Sequence, residues 1–429
     1  MSTEKSTDQH PRQHPGQEHA PGGLRATSRR RKARGAAAFL GIAALVGGGQ
    51  VWNGTEQAAA LDGAVTSWIS PSSGGVAGAP ADRGRGNREL QDGLERLVEE
   101  DGFPGVLANV VDERGRSRDY TAGVGNIDTG RRVPADGQVR IGSNTKTFTA
   151  TVVLQLVDEG LVDLDAPIET YLPGLVRGEG IDAHRITVRN LLQHTSGLPN
   201  YTAHISLDFF ATRDQFVHPH DNLALALAHP ADFQPGEQWA YSNTNYTLLG
   251  LLIERVTARP LAEQITERIV EPLDLEGTYV PLPGEREIRE RHPRGYHPLP
   301  DGTMGDITVM DPSWGGAAGD MVSTTRDLNT FFSALPGGEL LSPELWAEMT
   351  TTVPLPEGYP GDGYGLGLMT TELSCGEVVY GHGGDIPGYS TRGGATADGE
   401  AVAIAVTSLT PDLEINQHVE DLVDVALCD

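Results

Sequence analysis

Apolar residues recur along this chain in two periods, and the change of period divides it. Leu90, Leu94, Leu97 and Val98 fall on one helical face that ends at Gly102. Residues 105–111 and 118–124 are strand-like on either side of a turn at Glu113-Arg114-Gly115, which predicts a hairpin opening a sheet. Between 145 and 158 the helical period returns through Phe148, Val152, Val153, Leu156 and Val157, and Gly160 stops it. Residues 160 to about 300 read as helical segments broken by Pro- and Gly-rich loops. The clearest of them, 245–256, carries Leu248, Leu249, Leu251, Leu252 and Ile253, and a further helix is expected over 325–335. Past residue 360 the chain becomes strand-like at 364–369, 378–380, 389–395 and 401–406, and 412–427 closes as a helix. Strand pair, helices, strand run and helix in that order predict an α/β (α+β) fold. Its antiparallel sheet is flanked by helices and formed from the N- and C-terminal parts, with an inserted mainly helical domain at about 160–300.

The first 60 residues follow a different logic. A basic cluster, Arg29 to Arg34, runs directly into the apolar stretch 36–46, which suits a signal-peptide core and falls short of the roughly 20 residues a membrane span needs. Ala58-Ala59-Ala60 then offers a cleavage site before Leu61. The expectation is a signal peptide at 1–60, a flexible linker at 61–86, a folded domain at 87–428, and a secreted, monomeric product; an uncleaved anchor is the alternative. Export puts Cys375 and Cys428, the chain's two cysteines, in an oxidising compartment that favours pairing them over leaving two buried thiols.

Composition narrows the function. The formal net charge of -27 argues against a nucleic-acid partner, whose footprint would be basic. Two cysteines cannot build a zinc cluster, and His218-Pro219-His220-Asp221 reads as a loop rather than a metal site, so neither metal nor cofactor is expected. Lysine occurs three times, at Lys5, Lys32 and Lys146. The body beyond the leader uses arginine at every other basic position. Lys146 stands three residues after Ser143 at a helix start, so hydroxyl and amine share one face of a turn. Serine needs a neighbour to take its proton, and an amine of lowered pKa does so, whereas guanidinium stays protonated. A capping serine beside a surface lysine fits the same residues.

Two more stretches carry candidate chemistry. Tyr241-Ser242-Asn243 precedes the long helix; a phenol near an ammonium is pushed toward phenolate and serves as a base, and Asn243 suits donation to a substrate amide. Helix capping over a packed tyrosine is the plainer alternative. At 379–388, glycines around His382 let a backbone or ligand approach a strand closely, and a backbone N–H there would form an oxyanion hole with that of Ser143. A bulged edge strand is the other reading.

Serine-x-x-lysine, tyrosine-x-asparagine and histidine-x-glycine in this order resemble the penicillin-recognising serine hydrolases: the group of class C β-lactamases, DD-peptidases and related esterases. The texture is nearest to secreted actinomycete D-alanyl-D-alanine carboxypeptidases. The resemblance spans most of 86–428 and includes 191–197, 323–328 and 364–368. It implies Ser143 as the acylated nucleophile, Lys146 as its proton acceptor, Tyr241 as a proton shuttle and Asn243 as the group orienting the substrate amide. His382 would line the site, the N–H groups of Ser143 and Asp385 would form the oxyanion hole beside Gly383 and Gly384, Trp314 would wall the cleft, and Cys375 would pair with Cys428. The implied activity is D-Ala-D-Ala carboxypeptidase on peptidoglycan stem peptides, with β-lactams as inhibitors or substrates. The alternatives are an esterase, a D-amino-acid amidase, a β-lactamase, or a receptor for wall fragments that does not turn over. Two departures bear on substrate choice: Gly383 replaces a hydroxyl residue, and 368–370 lacks the arginine that relatives use for a terminal carboxylate.

Overall fold

The computed structural model describes residues 83–410 and 412–428 of the chain. The expected signal peptide, and the linker up to residue 82, lie outside them. Helix α1 (Arg83–Glu99) starts inside the stretch expected as linker, and the hairpin β1 (Gly105–Val111) and β2 (Ser117–Asn126) follows it. Helices α2 (Thr145–Asp158) and α3 (Asn243–Thr257) bracket a region of short helices and loops. Helix α4 (Thr325–Ala334) leads into the strands β3 (Met369–Glu372), β4 (Val378–Gly381), β5 (Gly384–Ile386), β6 (Tyr389–Thr396) and β7 (Ala401–Val406), and α5 (Leu413–Cys428) comes last.

All pairings in the main sheet are antiparallel, and its central order is β3-β4-β6-β7-β1-β2, with β5 pairing β6. Residues three hundred apart in sequence thus sit side by side, Val106 opposite Val406 and Val111 opposite Ala401. The sequence Ala-Val-Ala-Ile-Ala-Val of β7 explains how both faces are covered. Its period of two sends Val402, Ile404 and Val406 to one face, against Leu90, Leu94 and Leu97 of α1 and Val419, Leu422 and Val423 of α5. Ala401, Ala403 and Ala405 take the other face, where small side chains admit α4.

Helix α2 lies in the middle of the molecule and is buried almost all round, from Thr145 to Leu154. A helix so placed cannot leave polar groups unpaired. Its threonines comply: Thr147 Oγ1 donates to Gly367 O (2.7 Å), Thr149 Oγ1 to Ala317 O (2.9 Å) and Thr151 Oγ1 to Thr147 O (2.8 Å). The ring of Phe148 stacks on Phe331 of α4 at 3.7 Å between centroids, which locks α2 to the layer behind the sheet.

One segment departs from expectation. Pro219–Leu227 is a helix, with His218 at its N-cap accepting from His220 N and Asp221 completing a capping box. Proline at the first helical position is favourable, so the run 218–221 opens a helix where a loop was expected.

Cys375 and Cys428 form a disulfide that ties the β3–β4 turn to the end of α5. Closing a loop of 53 residues stabilises the folded state by about 4 kcal/mol in the chain-entropy picture. Replacing both cysteines by serine should therefore lower the unfolding free energy by roughly that amount in urea titration. A loss below about 1 kcal/mol would show that the bond constrains little.

Candidate active site

Ser143 sits in a single 3-10 turn, Gly142–Asn144, at the mouth of α2. The turn is fixed by close backbone approach. Gly142 has φ of +48°, and a Cβ there would lie 2.7 Å from Asp385 N; a Cβ on Gly384 would come within 1.9 Å of Ile141 O. Both glycines are thus sterically required, and β5 is pressed against the serine turn. Asn144 pins the arrangement by donating from Nδ2 to Ile141 O (3.0 Å) and Thr391 Oγ1 (2.6 Å).

Lys146 is fully buried, with no carboxylate beside it. Nζ lies 2.7 Å from Asn243 Oδ1, 2.7 Å from Ala318 O and 3.0 Å from Ser143 Oγ. The first two atoms only accept. A neutral amine has two N–H groups for them and one lone pair left, directed at the serine hydroxyl. Burial drives the pKa of Lys146 well below the usual 10.5, toward that neutral form. The geometry therefore suits an amine that takes a proton from Ser143 Oγ. The unfolded chain would hold a proton on this lysine up to about pH 10.5, while the folded one does not. The protein therefore loses stability through Lys146 as pH falls from there, until the lowered folded value is reached.

Tyr241 overturns one expectation. Its hydroxyl is hydrogen-bonded to Ser143, but burial, with Tyr359 adding to it, pushes the phenol well above its ordinary value. The amine beside it is itself held toward the neutral form, and the Ser143 hydrogen bond, which favours phenolate, is outweighed by burial. The phenol keeps its proton and is placed as a donor to the serine oxygen. Asn243 is also committed: beyond its bond to Lys146, its Nδ2 contacts Thr202 Oγ1 at 3.3 Å and Asn200 Oδ1 at 3.4 Å. It orients the lysine in this structure, in addition to lying along the cleft.

The cleft is a cavity of about 590 Å³. Ser143, Tyr241, Asn243, Trp314, His382 and Gly383 all reach its surface, as does Asp385. Gly384 does not; it carries the backbone behind the wall. Trp314 runs alongside Phe209, with ring centroids 6.0 Å apart, and its carbonyl accepts from Tyr201 Oη (2.6 Å) and Asn222 Nδ2 (2.9 Å). His382 is buried, and burial pushes it down to about 3, toward the neutral imidazole. Nδ1 faces Gly383 O and Nε2 faces Tyr364 Oη at 3.0 Å, so both ring nitrogens are occupied inside the protein.

Arg392 and Glu420 lie in the cleft wall and escaped sequence reading. Arg392, on β6, points behind Gly383 and forms ion pairs with Asp385 (3.1 Å) and with Glu420 of α5 (2.5 Å). No local motif marks either residue, because strand and helix meet there only through the tertiary fold. The run 191–197 did contain His194, and 364–368 contained Tyr364, but neither stretch announced that the two side chains touch (3.2 Å). Among the described residues no cluster of three or more metal-ligating side chains occurs.

With this geometry in view, similarity to known proteins becomes informative. Residues 90–427 match the family described as Beta-lactamase. The chain is 26% identical over 279 residues to "Putative penicillin-binding protein PbpX" of Bacillus subtilis, covering 65% of this chain and 63% of that one, so it spans somewhat less than two thirds of that relative's length. A D-stereospecific amidohydrolase from Streptomyces superposes with a TM-score of 0.72 at 42% identity, covering 78% of this chain and 98% of the other. The D-amino acid amidase of Ochrobactrum anthropi, complexed with L-phenylalanine amide, gives 0.71 at 30% identity over 80% and 97%.

Lys146→Met removes the lone pair while keeping the length of the side chain. It should fold and react with a fluorophosphonate, a general serine probe, about 10³-fold more slowly than the native protein. Labelling at the native rate would show that the amine plays no part in activating Ser143.

Proposed function

The chain belongs to the Beta-lactamase family, and we propose that within it this serine hydrolase acts as an amidohydrolase on D-amino-acid amides or peptides bearing a free α-amino group. Ser143 Oγ attacks the amide carbonyl as its proton passes to Lys146, and the N–H groups of Ser143 and Asp385 receive the developing oxyanion. The C–N bond then breaks, and Tyr241 relays the proton to the leaving nitrogen. Water entering by the reverse of this path releases the acid from the serine.

The observation that carries the substrate class is the order of charges around Arg392. One guanidinium, 7% exposed, stands behind two carboxylates, Asp385 at 24% and Glu420 at 32%, which face the cavity. The cation is spent on those two partners, and the surface a ligand meets is net negative. A terminal carboxylate placed there would leave water to face two like charges, at a cost of several kcal/mol. An ammonium would gain charge-assisted hydrogen bonds. The names of the two structural neighbours, both D-specific amide hydrolases, support this reading and the D stereochemistry.

The carboxypeptidase reading, with stem peptides as substrates and β-lactams as acylating ligands, is the second one, and the penicillin-binding relative favours it. Export through the leader is proposed on the basic cluster and apolar run alone.

Purified protein offered D-phenylalanine amide, an N-acetyl-D-Ala-D-Ala peptide, a short-chain ester and a cephalosporin decides between them. Turnover of the amide with little release of D-Ala is expected; the reverse would establish the carboxypeptidase. Glu420→Gln should raise KM for the free-amine amide roughly tenfold or more, with little change for the N-acetylated form of the same amide. Equal effects on both would remove the charge argument.

A further inference from the structure

His194 is fully buried beside the site, does not line the cleft and has no part in the acyl-transfer steps above. Its hydrogen bonds nevertheless have only one consistent direction. The backbone N–H of Ser242 donates to His194 Nδ1 (3.2 Å), so that nitrogen is the acceptor. Asn245 Nδ2, itself oriented by Ser196 Oγ bonding to Asn245 Oδ1, points at the same atom (3.0 Å). The proton of neutral His194 must then sit on Nε2, which faces Tyr364 Oη at 3.2 Å. At the other end Gly383 O can only accept, so His382 Nδ1 carries a proton and His382 Nε2 accepts from Tyr364 Oη at 3.0 Å. Both ends are anchored by backbone groups of opposite kind. Tyr364 Oη also meets the Tyr246 hydroxyl, which gives its own proton to Leu192 O, and the one arrangement that leaves no ring nitrogen unpartnered has Tyr364 accepting from His194 and donating to His382.

We propose that His194 and Tyr364 are positioning residues: they lock His382 in its Nδ1–H tautomer, which holds the Gly383 carbonyl and thereby sets the strand that carries Asp385 N–H against the Ser143 turn. The device acts on the oxyanion-binding backbone and is independent of which acyl substrate is used. Burial lowers both histidines, in agreement with the tautomers. The groups facing His194 are Lys146, Tyr241, Tyr246, Tyr364 and His382; those facing His382 are Lys146, Tyr241, Tyr364, Asp385 and Arg392.

The test begins with ¹⁵N chemical shifts of the imidazoles in the full-length protein, assigned with His194→Gln and His382→Gln. Shifts reporting Nε2–H at His194 and Nδ1–H at His382 are expected, and any other pair of tautomers overturns the relay. Tyr364→Phe then removes both bonds at once. Fluorophosphonate labelling of Ser143 should fall about 10- to 100-fold. The acid limb of its pH profile should move upward as His382 Nε2, now without a donor, becomes protonatable. His194→Leu should give the same two effects, and His194→Gln, which still donates toward Tyr364, should recover most of the loss. Native labelling with an unmoved acid limb in Tyr364→Phe, or equal losses in His194→Gln and His194→Leu, would reduce both residues to packing. Because the probe is not an amide, failure here leaves the substrate assignment standing, and failure of the substrate panel leaves this untouched.

Discussion

A lysine amine enclosed by protein, with no carboxylate to neutralise it, is the constraint to which the centre of this molecule is built. An isolated ammonium in that position would be costly, so the surroundings are arranged for a neutral amine. Asn243 at the start of α3 and Ala318 in the 3-10 turn Gly316–Ala318 each supply one acceptor, and Ser143 is left for the lone pair. Two segments far from α2 in sequence must therefore converge on it within hydrogen-bonding distance. The buried threonines of that helix, bonded to Gly367 and Ala317, bring two of the neighbouring loops into register.

Much of this was legible because local patterns carried it. The apolar run 401–406 and the helical period of 145–158 marked a strand and a helix, both of which are present, and the rarity of lysine singled out Lys146. The Tyr241 reading failed for a physical reason. Whether a phenol beside a lysine loses its proton depends on burial and on the charge of that lysine, and neither is a local property of the sequence. Arg392 and Glu420 were invisible on similar grounds: an arginine in a strand and a glutamate on a terminal helix look like ordinary surface residues until the fold brings them together. Residues 368–370 carry no arginine, but the guanidinium of Arg392 reaches the cleft wall from β6.

That substitution of position changes what the cleft reads. A cation offered directly to a ligand attracts anions; the same cation placed behind two acids serves to hold them close together, which they would otherwise resist. Burial raises the carboxyl of Glu420 above its ordinary range, Arg392 counters that, and repulsion from Asp385 adds to the rise. The result is a concentrated negative surface that remains ordered, reached through an aromatic wall of Trp314 and Phe209.

The pairing of β1 with β7 has a consequence for the order in which the protein comes into being. The hairpin at 105–126 emerges early in synthesis, but its outer neighbour in the sheet is some three hundred residues behind it, and α1 finds α5 later still. Contacts of such long separation form slowly, after most of the chain is available. Ser143 and Lys146 would thus wait through the synthesis of more than two hundred further residues before the wall formed by β5, β6 and Glu420 exists. A nascent chain that has not reached these segments has no completed cleft, so its chemistry is withheld until they are in place.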